Sequence, residues 1–160
     1  MHVEPMRLED LDEVLYIEKG SFPTPWSRNM FLEEMENRNS RLIVFKVEGA
    51  VVGYVCFWAV LDEAHLLNIA VHPTKRHQGF GQLIMAEIEA LCIKEGLKRV
   101  ILEVARKNVA ARSLYRKCGF HSIGFRKNYY GVTKDDALIM EKYLLSSEMD
   151  QDESKRNELR

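Results

Sequence analysis

The chain has 160 residues, of which 46% are hydrophobic and 29% are charged, values typical of one globular domain that leave no room for a second full-sized core. Its 23 Lys and Arg residues nearly balance its 24 Asp and Glu residues, giving a formal net charge of -1. Such a chain has no overall basic field that would attract nucleic acid or an anionic membrane. We therefore expect neither as a direct partner.

Membrane, secretory and metal-binding signals are weak. The longest apolar run, residues 51–61, is far shorter than the ~20 residues of a membrane-spanning helix, and residues 1–5 lack the basic and apolar regions of a secretory signal. The cysteines are odd in number and widely spaced, and the histidines match no metal-ligand spacing: Cys56, Cys92, Cys118, His65, His72 and His77. We expect a cytoplasmic protein with reduced cysteines and no metal.

The N-terminal quarter of the chain predicts a short extended segment followed by two helices. Positions 8, 11, 14, 15 and 18 follow a helical spacing, and this first helix should stop near Gly20. An aromatic and proline-rich loop, residues 22–26, comes next. Ser27 is then a good N-cap for a second helix that runs to about Asn37.

Three strands are predicted in the middle of the chain. Residues 41–48 and 51–61 are rich in β-branched and aromatic residues, and the Glu48-Gly49-Ala50 segment between them favours a hairpin turn. A third strand, residues 64–71, ends at His72-Pro73.

The remaining elements are predicted by apolar periodicity and by glycines at helix ends. They are a helix over 82–95, a strand over 99–105, a helix over 108–118, and strands over 121–126 and 137–143. The element order is then βαα-βββ-α-β-α-ββ. Residues 146–160 contain too few apolar side chains to offset the entropy of ordering, so we expect one domain over residues 1–145 and a disordered tail.

A glycine-containing loop, Arg76-His77-Gln78-Gly79-Phe80-Gly81, lies between the third strand and the helix predicted from Gln82. Glycines allow close backbone approach, and the free N–H groups and dipole of a helix start favour an anion. The loop therefore fits a phosphate site, although tight strand-to-helix turns also use glycine only for its backbone freedom. It is neither a nucleotide P-loop, which ends in Gly-Lys-Ser/Thr, nor a dinucleotide fingerprint, which needs a small residue where Ile84 stands.

Three polar residues near the next strand and helix are candidates for chemistry. Glu103 lies in an otherwise apolar strand, where a carboxylate is costly unless it faces a wet or functional cleft; strand alternation also allows it simply to face solvent. Asn108 and Tyr115 are seven residues apart, so they share one helix face. Asn108 fits an ordinary N-cap equally well, and Tyr115 fits a core tyrosine.

Four aromatic residues fall in predicted loops, where core packing explains bulky side chains less readily. They either line a peptide groove or fold back to cap the core. These residues are Phe22, Trp26, Tyr129 and Tyr130.

The loop, following a strand that ends in Val-His-Pro, resembles the acyl-CoA-binding motif of the GCN5-related N-acetyltransferases (GNAT). Further segments together are similar to the RimI type, the ribosomal-protein-alanine N-acetyltransferases, and the resemblance extends over residues 1 to about 144. The segments are Leu67-Asn68-Ile69-Ala70-Val71-His72-Pro73, Leu102-Glu103-Val104, Asn108-Val109-Ala110-Ala111, Leu114-Tyr115, Gly119-Phe120, Asn128-Tyr129-Tyr130 and Asp136-Ala137-Leu138-Ile139-Met140.

This resemblance implies an α/β GNAT fold with a central mixed, mostly antiparallel sheet flanked by helices. It implies direct transfer of the acetyl group of acetyl-CoA to a protein N-terminal amine, of alanine and on a ribosomal protein, with Glu103 as base and Tyr115 as acid. The implied CoA contacts are Asn108, the backbone of Ile69, Ala70 and Val71, and the loop residues Arg76, His77, Gln78, Gly79, Phe80, Gly81 and Gln82. The implied borders of the acceptor site are Phe22, Trp26, Tyr129 and Tyr130.

Elementary acid–base chemistry favours an N-terminal acceptor. A protein α-amine has a pKa of ~7.7 to 8.0 and is substantially neutral near pH 7, whereas a lysine at ~10.4 is almost entirely protonated.

Cys118 is not expected to act as a nucleophile, because the C-terminal end of a helix disfavours a thiolate. The alternatives are a GNAT enzyme acting on lysine side chains or a small amine, and a non-catalytic CoA-binding regulatory module.

Overall fold

The computed structural model describes residues 1–130 and 135–145, and within these ranges it has one seven-stranded sheet, four α-helices and two short 3-10 turns. The predicted element order and the mixed α/β class are confirmed. The tail predicted from residue 146 lies outside the described residues. The elements are β1 His2–Pro5, α1 Leu11–Lys19, α2 Arg28–Glu36, β2 Ser40–Val47, β3 Ala50–Val60, β4 Glu63–Val71, α3 Phe80–Lys94, β5 Arg99–Ala105, α4 Val109–Lys117, β6 His121–Tyr130 and β7 Asp135–Tyr143.

Local sequence signals account for most element ends. Ser27 Oγ accepts a hydrogen bond from the backbone N–H three residues later, 3.3 Å away, and so caps α2. Glu48 and Gly49 both have positive φ, 52° and 80°, as a two-residue hairpin turn requires. Gly96, with φ 78°, follows α3 at the predicted stop.

Two of the differences between predicted and observed element boundaries bear on the predicted site residues. The helix α3 begins at Phe80 instead of Gln82, because Gly79 adopts a left-handed conformation and serves as the N-cap. Strand β6 continues to Tyr130, where pairing with Asp135 of β7 resumes. The placement of Tyr129 and Tyr130 in a loop was therefore wrong for their backbone, and their side chains lie outside the described part of the structure.

The sheet has the order β1-β2-β3-β4-β5-β7-β6. Strands β4 and β5, at its centre, run parallel, and the other neighbouring pairs are antiparallel. Helices α3 and α4 contribute to the buried cluster on one face, and α1 and α2 contribute to the cluster on the other. None of the helices in the described ranges is long and apolar enough to cross a membrane.

Candidate active site

The sheet opens at its centre, because β4 and β5 pair along only part of their length. Their ladder joins Glu63–Leu66 to Arg99–Leu102 and ends there. At the same point Phe57 of β3 pairs with Leu66 and Cys56 pairs with Asn68, so Leu67 is an extra residue in β4. Such a bulge bends its strand and increases the local twist. The separation between residues 67–71 and 103–105 is here called the central cleft.

The part of β4 beyond the bulge presents a free backbone edge to the central cleft. His72 N donates to Val52 O of β3 over 2.7 Å. Because alternate residues of an antiparallel strand bond to the same neighbour, Ala70 directs its backbone groups towards β3. Ile69 and Val71 direct theirs towards the cleft, where the Val71 carbonyl already accepts from Arg76 Nε over 3.2 Å. Two of the three predicted backbone contacts therefore lie at this edge, and Ala70 does not.

The N-terminus of α3 lies at the open end of the cleft, after β4 has ended. Gly79 has φ 83° and no side chain caps the helix among the described residues. The first intrahelical bond runs from Leu83 N to Gly79 O, 3.2 Å. The N–H groups of Phe80, Gly81 and Gln82 precede that bond and make no intrahelical bond themselves. Together with the helix dipole they form a site suited to an anion such as a phosphate.

Close packing fixes α4 beside this helix start. A Cβ atom on Gly81 would lie 3.0 Å from Leu114 Cδ2 and 3.3 Å from its Cδ1. A Cβ atom at position 81 would require the end of the Leu114 side chain to shift by a few tenths of an ångström, so the glycine permits this close packing. The first turn of α3 and the residues of α4 thus form one continuous wall of the site.

The side chains of the predicted loop contribute less to the anion site than its backbone does. Arg76 Nη2 donates to Gly20 O at 3.2 Å and to Ser21 Oγ at 2.9 Å, so this guanidinium ties the loop to the end of α1. Gln78 Nε2 donates to a carbonyl four residues earlier, 2.9 Å away. His77 is exposed, with φ 59°. The structure therefore directs Arg76 and Gln78 away from the start of α3.

Glu103 lies on the α1–α2 face of the sheet. Its neighbours on β5, Leu102 and Val104, belong to the buried cluster beneath α3 and α4, and strand alternation directs Glu103 to the other face. The carboxylate is partly exposed and forms an ion pair with Arg126 of β6, with 3.4 Å between Oε1 and Nη1. Both interpretations of Glu103, a functional cleft and simple exposure to solvent, are compatible with this position.

Tyr115 lies on the opposite side of the sheet from Glu103. It is 6% exposed within the α3–α4 cluster, and its ring centroid is 5.8 Å from that of Phe120. Asn108 Oδ1 accepts from Ala111 N over 3.2 Å, so its prediction as an N-cap is confirmed. The Glu103 carboxylate and the Tyr115 ring thus lie on opposite faces of the sheet.

Phe22 and Trp26 fold back onto the protein. Both are half-buried and pack against the α1–α2 cluster, and the Trp26 ring lies 5.2 Å from that of Phe31. Of the two interpretations of these aromatic residues, the structure supports core capping for this pair. Both therefore lie on the side of the sheet that carries Glu103.

A buried carboxylate, Glu18 of α1, was missed as a functional candidate. It is 1% exposed; its Oε1 accepts from Trp26 N at 2.9 Å, and its Oε2 accepts from Asn68 Nδ2 at 2.8 Å and from the Tyr54 hydroxyl. Burial raises the pKa of Glu18, against the opposing effects of its hydrogen bonds from Trp26 and Asn68. The signal was present in the sequence, because an acidic residue occupies an apolar position of the helical pattern.

Cys118 fits the expectation that it is not a nucleophile. It follows the last turn of α4, and burial raises the pKa of its thiol, so a thiolate is disfavoured there. Within residues 1–130 and 135–145, no group of His, Cys, Asp and Glu side chains is arranged to hold a metal ion.

Residues 11–120 match the family model described as Acetyltransferase (GNAT) family. This match covers well over half of the chain, and the bulged β4, the uncapped α3 and the central cleft all lie within it. The chain therefore belongs to the acetyltransferase (GNAT) family and is an acyltransferase.

Individual relatives show which members of the family the chain is similar to. A Bacillus subtilis protein provisionally named a ribosomal protein bS18-alanine N-acetyltransferase is 40% identical over 86% of this chain and 92% of its own length. The Escherichia coli K12 ribosomal protein bS18-alanine N-acetyltransferase is 33% identical over 86% of this chain and 94% of its own. A crystal structure of the Escherichia coli ribosomal-protein-S18-alanine N-acetyltransferase superposes with a TM-score of 0.82 at 29% identity, covering 91% and 95% of the two chains.

Proposed function

We propose that this protein transfers the acetyl group of acetyl-CoA to the N-terminal α-amine of a protein, and that its acceptor is a ribosomal protein that begins with alanine. The names of its relatives support the acceptor class. The observation that carries the proposal is the central cleft, which opens beside the bulge at Leu67 where the β4–β5 ladder ends. Two substrates would reach one point through it from opposite faces of the sheet.

The chain offers groups suited to each part of acetyl-CoA. The N–H groups of Phe80, Gly81 and Gln82 suit the pyrophosphate. The backbone groups of Ile69 and the N–H of Val71 suit the amides of the pantetheine arm, because extended amides pair readily with an open strand edge. Asn108 retains donor capacity on its amide nitrogen after capping α4.

Two side chains would accept and donate the protons that the reaction transfers. When bound, acetyl-CoA supplies an activated acyl carbon. As the C–N bond forms and the C–S bond breaks, the Glu103 carboxylate would accept the proton released by the amine, and the Tyr115 hydroxyl would protonate the departing sulfur. The neutral fraction of an α-amine near pH 7 makes this acceptor easier to activate than lysine.

The acceptor would approach over the α1–α2 face. Phe22 and Trp26 would border this approach from the α1–α2 loop, and Tyr129 and Tyr130 from the end of β6. Their aromatic surfaces would hold the first residues of the acceptor while its amine reaches the central cleft.

The decisive assay measures CoA release with two peptides. One has a free N-terminal alanine and no lysine, and the other is N-terminally blocked and has one internal lysine. We expect turnover only with the first peptide. Turnover only with the second would replace the proposal with side-chain acetylation, and binding of acetyl-CoA without turnover on either would favour a small-amine substrate or a regulatory module.

The proposed roles of the two side chains are tested by Glu103→Gln and Tyr115→Phe, each of which should lower kcat about 10²- to 10⁴-fold, the usual contribution of one acid or base. Glu63→Gln is the matched control. Glu63 lies on the same face, at the far end of the β4–β5 ladder, where it pairs with Arg99 at 2.7 Å. Equal kcat values in Glu103→Gln and Glu63→Gln would refute the assignment of the base.

A further inference from the structure

The buried polar cluster of Glu18, Trp26, Tyr54 and Asn68 connects the two sides of the active site. We propose that Glu18 is a positioning residue that holds the α1–α2 loop and the bulged half of β4 in a fixed relation to each other. This inference rests on the proposed function, because it assigns the acceptor to that loop and the acyl donor to that strand.

On the loop side, one carboxylate oxygen fixes the end of the segment that connects α1 to α2. Glu18 Oε1 accepts from Trp26 N at 2.9 Å, immediately before the Ser27 cap of α2. The other end of the same segment is fixed to α1 by Ser21 Oγ, which donates to Ile17 O over 2.6 Å. Movement of the Glu18 carboxylate would therefore move the loop that carries Phe22 and Trp26.

On the strand side, the other carboxylate oxygen holds the first residue after the bulge. Asn68 Nδ2 donates to Glu18 Oε2 over 2.8 Å, and Asn68 directly follows the extra residue Leu67. The next residue, Ile69, turns its backbone towards the central cleft. A bulged strand lacks part of its ladder, so a side-chain contact at this point fixes the path of the free edge.

The cluster requires an acceptor with two oxygens. Three donors, from Trp26, Tyr54 and Asn68, converge on Glu18, and a carboxylate can accept all of them. An amide at position 18 has only one acceptor atom, so whichever way it is turned its NH₂ group faces either the Trp26 N–H or the donors of Asn68 and Tyr54. Because Glu18 and Asn68 are 1% and 7% exposed, water cannot readily satisfy the donor that loses its acceptor, and the groups around the carboxylate must rearrange.

A second buried carboxylate provides a matched control. Asp10 is 2% exposed; it accepts from Arg7 N at 2.8 Å and pairs with Lys46 Nζ at 2.7 Å. These contacts join the start of α1 to β2 and touch neither the α1–α2 loop nor β4. Asp10→Asn should therefore destabilise the fold without moving either side of the cleft.

The test compares Glu18→Gln with Asp10→Asn at a temperature below the unfolding midpoints of both variants. Activities are expressed per mole of folded enzyme. Calorimetry measures the Kd of acetyl-CoA, and the alanine peptide gives kcat/KM. We expect Glu18→Gln to weaken acetyl-CoA binding and to lower kcat/KM for the peptide about 10- to 100-fold, since displacements near 1 Å have effects of that size. Asp10→Asn should change neither value. Adding Asn68→Asp to Glu18→Gln pairs an amide with a carboxylate again. The double variant should recover the wild-type Kd of acetyl-CoA and the wild-type kcat/KM of the peptide.

The inference would be overturned if Glu18→Gln changed only the Kd of acetyl-CoA, only the kcat/KM of the peptide, or only the stability of the fold. The reason is that the proposal joins the two sides of the cleft through one side chain. Failure of the proposed function has a different result. A wild-type protein that binds acetyl-CoA but does not acetylate the alanine peptide would refute the proposed function. The calorimetric comparison of Glu18→Gln with Asp10→Asn would still test the link to β4, and equal affinities would refute it.

Discussion

Replacement of Gly79 by alanine tests whether the start of α3 holds the phosphates of acetyl-CoA. Gly79 has φ 83°, and a Cβ atom placed on it would contact nothing within 4 Å. The substitution therefore introduces backbone strain without a steric clash. A left-handed conformation costs an L-residue about 1 to 2 kcal/mol, and the loop would relieve this strain by rotating the N–H groups that begin α3.

The expected loss of affinity follows from the same strain. If the bound state requires the left-handed conformation and the free loop relaxes out of it, the whole cost appears in binding. At about 1.4 kcal/mol per factor of ten, 1 to 2 kcal/mol corresponds to a Kd about 5- to 30-fold higher. Because the central cleft itself is unchanged, kcat at saturating acetyl-CoA should stay near the wild-type value.

Gly96→Ala is the control for strain without a ligand contact. Gly96 has φ 78° and is equally free of neighbours within 4 Å, but it follows the C-terminal end of the 15-residue helix α3, which is about 22 Å long. Calorimetric titration with acetyl-CoA and thermal unfolding of both variants separate the effects. Equal affinities in Gly79→Ala, Gly96→Ala and the wild type would refute the anion site at the start of α3.

Two further predictions concern titratable groups. Cys56 and Cys92 are fully buried, and burial raises the pKa of each thiol to about 12, so mass spectrometry should find both unmodified after iodoacetamide treatment of the folded protein at pH 8. Alkylation at Cys118 should not abolish turnover. Complete inactivation by one adduct at Cys118 would contradict direct transfer. Burial raises the pKa of Glu18 above 4.5, so the folded state binds a proton more tightly than the unfolded chain. The stability of the wild type relative to Glu18→Gln should then fall as pH rises from 4.5 through the raised pKa. Urea unfolding between pH 4 and 8 measures this, and a difference that grows with pH would show instead that the three hydrogen bonds outweigh desolvation.

The sequence by itself determined the features that depend on neighbours in the chain. The caps at Ser27 and Asn108, the turn at Glu48-Gly49 and the stop at Gly96 each act within a few residues, so local steric and hydrogen-bonding rules were sufficient. The element order followed from these signals and from apolar periodicity. The ordered set of segments around Glu103 and Tyr115 was enough to assign the family.

The tertiary structure alone decided which of these residues meet. The extra residue Leu67 is invisible in the sequence, because a bulge is defined by the partner strand and not by its own residues. The faces occupied by Glu103 and Tyr115 depend on how β5 and α4 pack against the rest of the sheet, and the opening of the cleft depends on where β4 and β5 separate. Glu18 became a candidate only when Trp26 and Asn68, 8 and 50 residues away along the chain, were found to donate to it, since contacts across such distances are set by packing and not by local propensity.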